Sequence, residues 1–158
     1  MKFSSQEEYG LRCLLQIARL GTEGSLTIPE ISRIEGLSQT HVAKLLMILR
    51  KDGIITSTRG QSGGYSIARK PSEISVKEVL EALGGRLYDA EFCERHTGQL
   101  DVCKHSVDCG LKSLWQVIQV AVDDVVGSIS LADLIAESQP GPNVSFFAAP
   151  ARPTVPIR

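Results

Sequence analysis

The chain has 158 residues, 42% of them hydrophobic and 22% charged, with a net charge of −1 and four cysteines. That length can bury a core of its own, and no apolar run approaches the ~20 residues a membrane span requires. Met1 to Leu20 is amphipathic and carries Glu7 and Glu8, which does not fit a secretory leader, so a cytoplasmic protein with reduced cysteines is expected.

In chain order, a first helix is predicted over Ser4–Leu20, with Tyr9, Cys13, Ile17 and Leu20 on its inner stripe and Leu14 and Ala18 beside them. Cys13 on that stripe fits a small buried thiol better than a ligand, because reactive cysteines need an accessible, electropositive setting. Gly21 to Ser25 reads as a loop. Thr27-Ile28-Pro29-Glu30 then gives a capping box with proline in the first turn, opening a short helix that stops near Gly36.

Ser38 caps the next helix and Gly53 ends it. Val42, Leu45, Leu46 and Leu49 recur at the i, i+3, i+4, i+7 spacing of one buried face. The other face presents Thr40, Lys44, Met47 and Lys51, with Gln39 and His41 in the first turn. A recognition helix reads base edges with its N-terminal residues, which makes Gln39 and Thr40 the first candidates for base contact. Ile54 to Thr58 is β-branched, Arg59-Gly60-Gln61-Ser62-Gly63-Gly64 turns, and Tyr65-Ser66-Ile67 returns, so a hairpin wing follows the helix. Its glycines permit close approach to a surface, and Arg59 supplies a guanidinium suited to phosphate or a narrow minor groove.

Charge supports this assignment. From Arg33 to Lys70 there are seven basic residues against two acids (Glu35 and Asp52), a local excess of five that leaves the remainder of the chain at −6. The candidate DNA contacts are Ser38, Gln39, Thr40, His41, Lys44, Arg59, Ser62, Gly63 and Tyr65.

Ser75 and Glu78 form a second Ser/Glu capping box, with Ile74 and Val79 as its staple, opening a helix that runs to Gly84-Gly85. From Arg86 to Cys109 neither helical nor strand periodicity survives, yet this segment holds Cys93, Cys103, Cys109, His96 and His105; a loop this long is usually functional. Leu111, Leu114, Ile118, Ala121 and Val125 then follow the alternating three-and-four spacing of a seam between helices, with Trp115, Val117, Val122 and Val126 adding apolar surface. That is more apolar face than a small winged domain needs, and a homodimer formed through this helix is expected. Ser130 opens a last short helix through Ile135, and five of the seven prolines lie beyond Glu137 in a Pro-rich tail expected to be extended or disordered.

The expected fold is therefore mainly α with a small β-hairpin wing. It divides into a winged helix-turn-helix DNA-binding domain (residues 1–85), a cysteine-rich loop (86–110), a dimerisation helix with a short C-terminal helix (111–136) and the tail (137–158).

Nine residues separate Cys93 from Cys103 and five separate Cys103 from Cys109. Structural zinc sites pair their ligands two to four residues apart, so this is not a zinc-knuckle spacing. Soft thiolates suit an iron–sulfur cluster, zinc or copper(I), the wider gaps being what a larger cluster permits, and the alternatives are a thiol switch closing a disulfide or inert cysteines. No nucleotide loop, substrate-pocket signature or acid–base pair is apparent, so an enzyme is not expected.

These motifs together resemble the IscR, NsrR, RirA and CymR family of bacterial winged-helix transcription regulators. The resemblance covers Met1 to Ile135. It is carried by Tyr9-Gly10-Leu11-Arg12, by Leu37-Ser38 through Leu49, by Arg59 through Tyr65, by the three cysteines, by Leu114-Trp115 and by Ser130 through Leu134. It implies a homodimer whose long helices cross, binding double-stranded operator DNA, and an iron–sulfur cluster ([2Fe–2S] or [4Fe–4S]) held by Cys93, Cys103 and Cys109. Two departures stand out: the first cysteine gap is longer than in the commonest members, and Lys112 replaces the IscR-type histidine three residues after the last cysteine. NsrR-like relatives draw the fourth ligand from the partner's first helix, where Glu8 lies here; His96 and His105 are the local alternatives. Glu8 could equally be an acid placed by its helix dipole.

Overall fold

The computed structural model describes residues 4–58, 63–89, 91–100, 103 and 109–137. Arg59, Ser62, His105 and the tail beyond Glu137 lie outside these residues.

Helix α1 (Ser5–Ala18) starts at Ser4, whose hydroxyl accepts from the Glu7 N–H while the Glu7 carboxylate accepts from the Ser4 N–H at 2.7 Å. This reciprocal cap satisfies two of the N–H groups that a helix start leaves unpaired. The helix ends two residues before Leu20 and the chain turns at Gly21, with φ +67°. Leu20, expected on the inner stripe, is consequently carried off it and is 46% exposed. Cys13, Leu14, Ile17 and Ala18 are buried as expected.

Helix α2 (Ile28–Glu35) carries the Thr27–Glu30 capping box and ends on Gly36 in the left-handed conformation. Ser38 caps α3 (Gln39–Lys51) through the His41 N–H at 3.3 Å. Val42, Leu45, Leu46 and Leu49 are all buried against α1 and α2. Strands β1 (Ile55–Thr58) and β2 (Gly64–Ile67) pair antiparallel, with Ile55 opposite Ile67 and Thr58 opposite Gly64. Leu26 exchanges both backbone hydrogen bonds with Tyr65, at 3.0 and 2.8 Å, which ties the wing to the segment before α2. A Cβ on Gly64 would lie 2.9 Å from the Leu26 carbonyl oxygen, so glycine is what lets that segment close.

Helix α4 (Val76–Gly84) is capped by Ser75, but only half of the expected capping box forms. The Glu78 carboxylate turns instead to the Arg69 guanidinium, an ion pair that outcompetes a return bond to the Ser75 N–H. Helix α4 packs on α1 and α3, where Gly10 lets α1 approach Leu83. Helix α5 (Gly110–Gly127) follows the cysteine loop, and α6 (Leu131–Glu137) returns to α1. Ser75 and Ser130 are bridged, with the Val76 N–H donating to Ile129 at 2.8 Å and the Leu131 N–H to Ile74 at 3.0 Å.

The core gathers α1, the inner faces of α2 and α3, Ile54, Ile55 and Ile67 of the wing, Ile74, Val79 and Leu83 around α4, and Leu131 of α6. Each large aliphatic side chain buried there contributes about 1.5–3 kcal/mol. Helix α5 contributes no apolar residue to this core; its one fully buried residue is Gln119. Leu111, Leu114, Trp115, Val120, Val125 and Val117 (67% exposed) lie on its open surface. No helix among the described residues is long and apolar enough to cross a membrane.

Candidate nucleic-acid interface and cysteine loop

Ser38, Gln39, Thr40 and Lys44 are exposed at the N-terminal end of α3. Their accessibility follows from the opposite face being wholly buried, which fixes the rotation of the helix. His41 differs from its neighbours: it is half-buried, and its ring meets Tyr9 of α1 edge to face, with centroids 5.6 Å apart. Gly63 and Tyr65 are half-buried, where the wing's returning strand leaves the turn and meets Leu26. An open groove of about 420 Å³ runs between the start of α2 and the hairpin, bordered by Thr27, Pro29, Arg50, Ser57 and Gly63. Arg50 donates to the Ser57 hydroxyl at 3.2 Å and so joins the end of α3 to β1. In the sequence Arg50 is legible only as one of the basic residues between Arg33 and Lys70; its place beside the wing depends on the hairpin folding back.

All four cysteines are free thiols, but in two settings. Cys13 is fully enclosed, and burial, reinforced by the Glu35 carboxylate, pushes its thiol up to about 11, so it stays neutral and inert. Cys93, Cys103 and Cys109 are half-buried. Cys93 lies at the start of a 3-10 turn (Glu94–His96), and Cys109 immediately precedes α5. The Tyr88 phenol is raised above its ordinary value by burial first, then by its hydrogen bond to Cys93 and the neighbouring Cys93 and Cys109. It therefore remains a neutral phenol, and Tyr88 and Cys93 line one cavity.

Among the described residues of this loop, Asp89 to His96 are held locally. Arg95 donates twice to the Asp89 carboxylate, at 2.8 and 2.9 Å. His96 stacks on Phe92 with centroids 4.2 Å apart, and its Nδ1 lies 2.7 Å from the Phe92 carbonyl. One ring nitrogen of His96 is thus already engaged. A cavity of about 660 Å³ opens beside Cys93, bordered by Arg86, Tyr88, Asp89, Lys112 and Gln119. Glu8 is exposed on α1.

Among the described residues, no three His, Cys, Asp or Glu side chains converge closely enough to hold a single metal ion. The donor chemistry still fits a cluster, because three half-buried thiols on one loop are soft ligands and a multi-iron core spans more space than one ion. Tyr88 and Gln119 escaped the sequence reading, although a glutamine in an otherwise apolar stretch of α5 was the available signal.

A family model described as Rrf2, iron-dependent transcriptional regulator, matches residues 3–137. The chain belongs to the Rrf2 family of transcriptional regulators. Protein rrf2 of Nitratidesulfovibrio vulgaris is 33% identical over 138 residues, spanning 87% of this chain and 89% of the relative. Among solved structures, the global cysteine regulator CymR of B. subtilis superposes with a TM-score of 0.68 at 27% identity, over 88% of this chain and 99% of CymR. T. potens IscR superposes equally well, with a TM-score of 0.68 at 28% identity over 88% and 89% of the two chains. The winged helix-turn-helix is thereby established, and the relatives and fold neighbours are regulators rather than enzymes. Transcriptional regulators of this family bind DNA.

Proposed function

We propose that the protein is a homodimeric transcription regulator that reads operator DNA with α3 and the wing, and senses iron, redox state or nitric oxide through an iron–sulfur cluster on its cysteine loop. The observation that carries this reading is the contrast among its thiols: one is sealed in the core, while three half-buried thiols share a loop beside the apolar surface of α5.

On DNA, Gln39 and Thr40 supply hydrogen-bonding groups for base edges, with Ser38, His41 and Lys44 around them in the same turns. Arg59 and Ser62 of the turn between the wing's strands would supply backbone contacts, with Gly63 and Tyr65 following them at the start of the returning strand. Pairing of Leu111, Leu114, Trp115, Val117 and Val125 with a second copy removes the apolar surface of α5 from water and aligns two winged units with a palindromic site.

Cys93, Cys103 and Cys109 would hold the cluster as thiolates, with Glu8 of the partner subunit as fourth ligand and His96 and His105 as local alternatives. When bound, the cluster supplies an oxidisable centre whose presence or charge differs between sensing states. The chain's own part is to hold both ends of the loop on α5, the first through the Tyr88 N–H on Gln119 and the second through Cys109 at the start of the helix. Only a group that interacts differently with two arrangements can shift DNA affinity, and ligands from two segments meet that condition.

A second reading is a cluster-free regulator whose loop acts as a thiol switch or binds a partner protein. The separation of the three thiols among the described residues and the equal similarity to CymR favour it. Iron and acid-labile sulfide analysis with a visible spectrum on anaerobically purified protein separates the two, followed by gel shifts with and without the cluster. The first reading requires iron, sulfide and charge-transfer bands that disappear in Cys103→Ala. Colourless protein without iron, with DNA binding that follows thiol oxidation, establishes the second.

A further inference from the structure

Helix α5 meets its own winged unit through Val122 and Val126 near Leu80 and through a set of polar groups, and Gln119 is at the centre of the polar set. Its side chain is 5% exposed and is the buried polar residue of the described chain. Oε1 accepts from the Tyr88 N–H at 2.9 Å, and Nε2 donates to Asp123 Oδ1 at 2.7 Å. The amide can face only this way, since one side offers a donor and the other a carboxylate. Asp123 uses its second oxygen for Lys77 of α4, at 3.3 Å, and for Arg86. Burial alone would raise the Asp123 carboxyl, but the bonds from Gln119 and Lys77 and the Arg86 charge outweigh it and hold it below the ordinary range. Tyr88 in turn opens the loop, packs its ring on Phe92 with centroids 5.2 Å apart, and lines one cavity with Cys93 and Gln119.

We propose that Gln119 is the positioning residue through which the state of the cysteine loop reaches the winged unit, passing from the Tyr88 backbone to Asp123 and then to Lys77 on α4. This rests on the reading of the loop as the sensing segment. A buried amide with both ends satisfied has one favoured orientation, so a shift of the loop at Tyr88 must rotate it and release Asp123. Lys77 lies in the first turn of α4, which packs directly on α3, and the altered grip on Lys77 therefore bears on the recognition helix.

Two variants of the full chain test this. Gln119→Leu keeps side-chain bulk but removes both bonds; Lys77→Met cuts the link to α4 and leaves the loop anchored. Two readings are taken: the iodoacetamide alkylation rate of Cys93 in cluster-free protein, followed by mass spectrometry, and the ratio of DNA affinities with and without cluster, on a labelled duplex selected by the parent protein. Gln119→Leu is expected to raise the Cys93 rate about fivefold and bring the affinity ratio within about twofold of one. Lys77→Met is expected to leave the Cys93 rate at the parent value and bring the ratio down as far. A mere packing role would lower both affinities together and preserve their ratio. The proposal is overturned if Gln119→Leu leaves the Cys93 rate unchanged, or if Lys77→Met keeps the parent ratio, a test that stands even should the leucine variant not fold. If the parent itself takes up no cluster, the sensing assignment fails independently, and the alkylation rates still judge the hold of Gln119 on the loop.

Discussion

The Nε of Arg12 lies 2.7 Å from Oε2 of Glu35, and this pair fastens α1 to the end of α2. Gln16 donates to the other Glu35 oxygen at 2.6 Å, and Arg12 reaches the Glu35 backbone carbonyl at 3.2 Å while covering the Tyr9 ring. The Glu35 side chain is only 6% exposed, so losing it strands two donors in a half-closed site. Glu35→Ala is expected to lower the melting temperature by roughly 5 °C, with Glu35→Gln milder because it keeps an acceptor. An unchanged melting curve for the alanine variant would show that the pair is ornamental.

Gly10 tests the crossing of α1 and α4. A Cβ there would lie 2.5 Å from both Leu83 methyl carbons, and Leu83 is itself buried, so its methyls have no free volume to enter. Gly10→Val should cost about 1–3 kcal/mol of stability through overpacking, measured by urea unfolding. A pairing of Gly10→Val with Leu83→Ala should recover part of the loss; absence of any recovery would place the strain elsewhere.

The fold was readable where independent signals agreed. In α3 the Ser38 cap, the Val42–Leu49 face and the stop at Gly53 all named the same helix, and the wing followed from β-branched residues around a glycine turn. Periodicity alone misled at Leu20, because the stripe continues in sequence past Ala18, where the helix has already ended ahead of the turn at Gly21. The Ser75–Glu78 box half-failed because Arg69, outside the local pattern, claimed the glutamate. Gln119 stood out as a polar residue in an apolar stretch, but its role was not legible for a similar reason: its partner Tyr88 lies 31 residues away, across the cysteine loop. The three cysteines could be grouped by sequence, but their spacing carried no measure of how closely the thiols approach.

For the DNA surface, Arg59→Ala should weaken binding to every duplex and reduce the salt slope by about one, since a single phosphate contact is lost. Gln39→Ala should mainly relax discrimination between operator variants, at about 1–3 kcal/mol for the base pair it reads. Fluorescence anisotropy across a salt series checks both. An Arg59 variant as tight as the parent at all salt concentrations would remove the wing from the interface.

Burial of Cys13 gives a pH dependence with a fixed sign. Its thiol is raised from an ordinary 9.0 to about 11 in the folded protein, so the folded state holds the proton more tightly than the unfolded chain. The associated stability is fully present below pH 9 and is lost as pH rises from 9 to 11, a change on the order of 2–3 kcal/mol. Cys13→Ala should be less stable at neutral pH, through the cavity it leaves, yet show a flatter decline across that window. Parallel pH profiles for the two proteins would contradict the burial of a neutral thiol.

The most direct measurement is sedimentation velocity of the full chain with a fluorescent duplex selected by binding, at low and moderate salt. Two protein chains per duplex at low salt, with the complex dissociating as salt rises, is the result expected of paired winged units joined through α5. Protein that sediments as a single chain and leaves the duplex free even at low salt, with or without iron, would contradict the account.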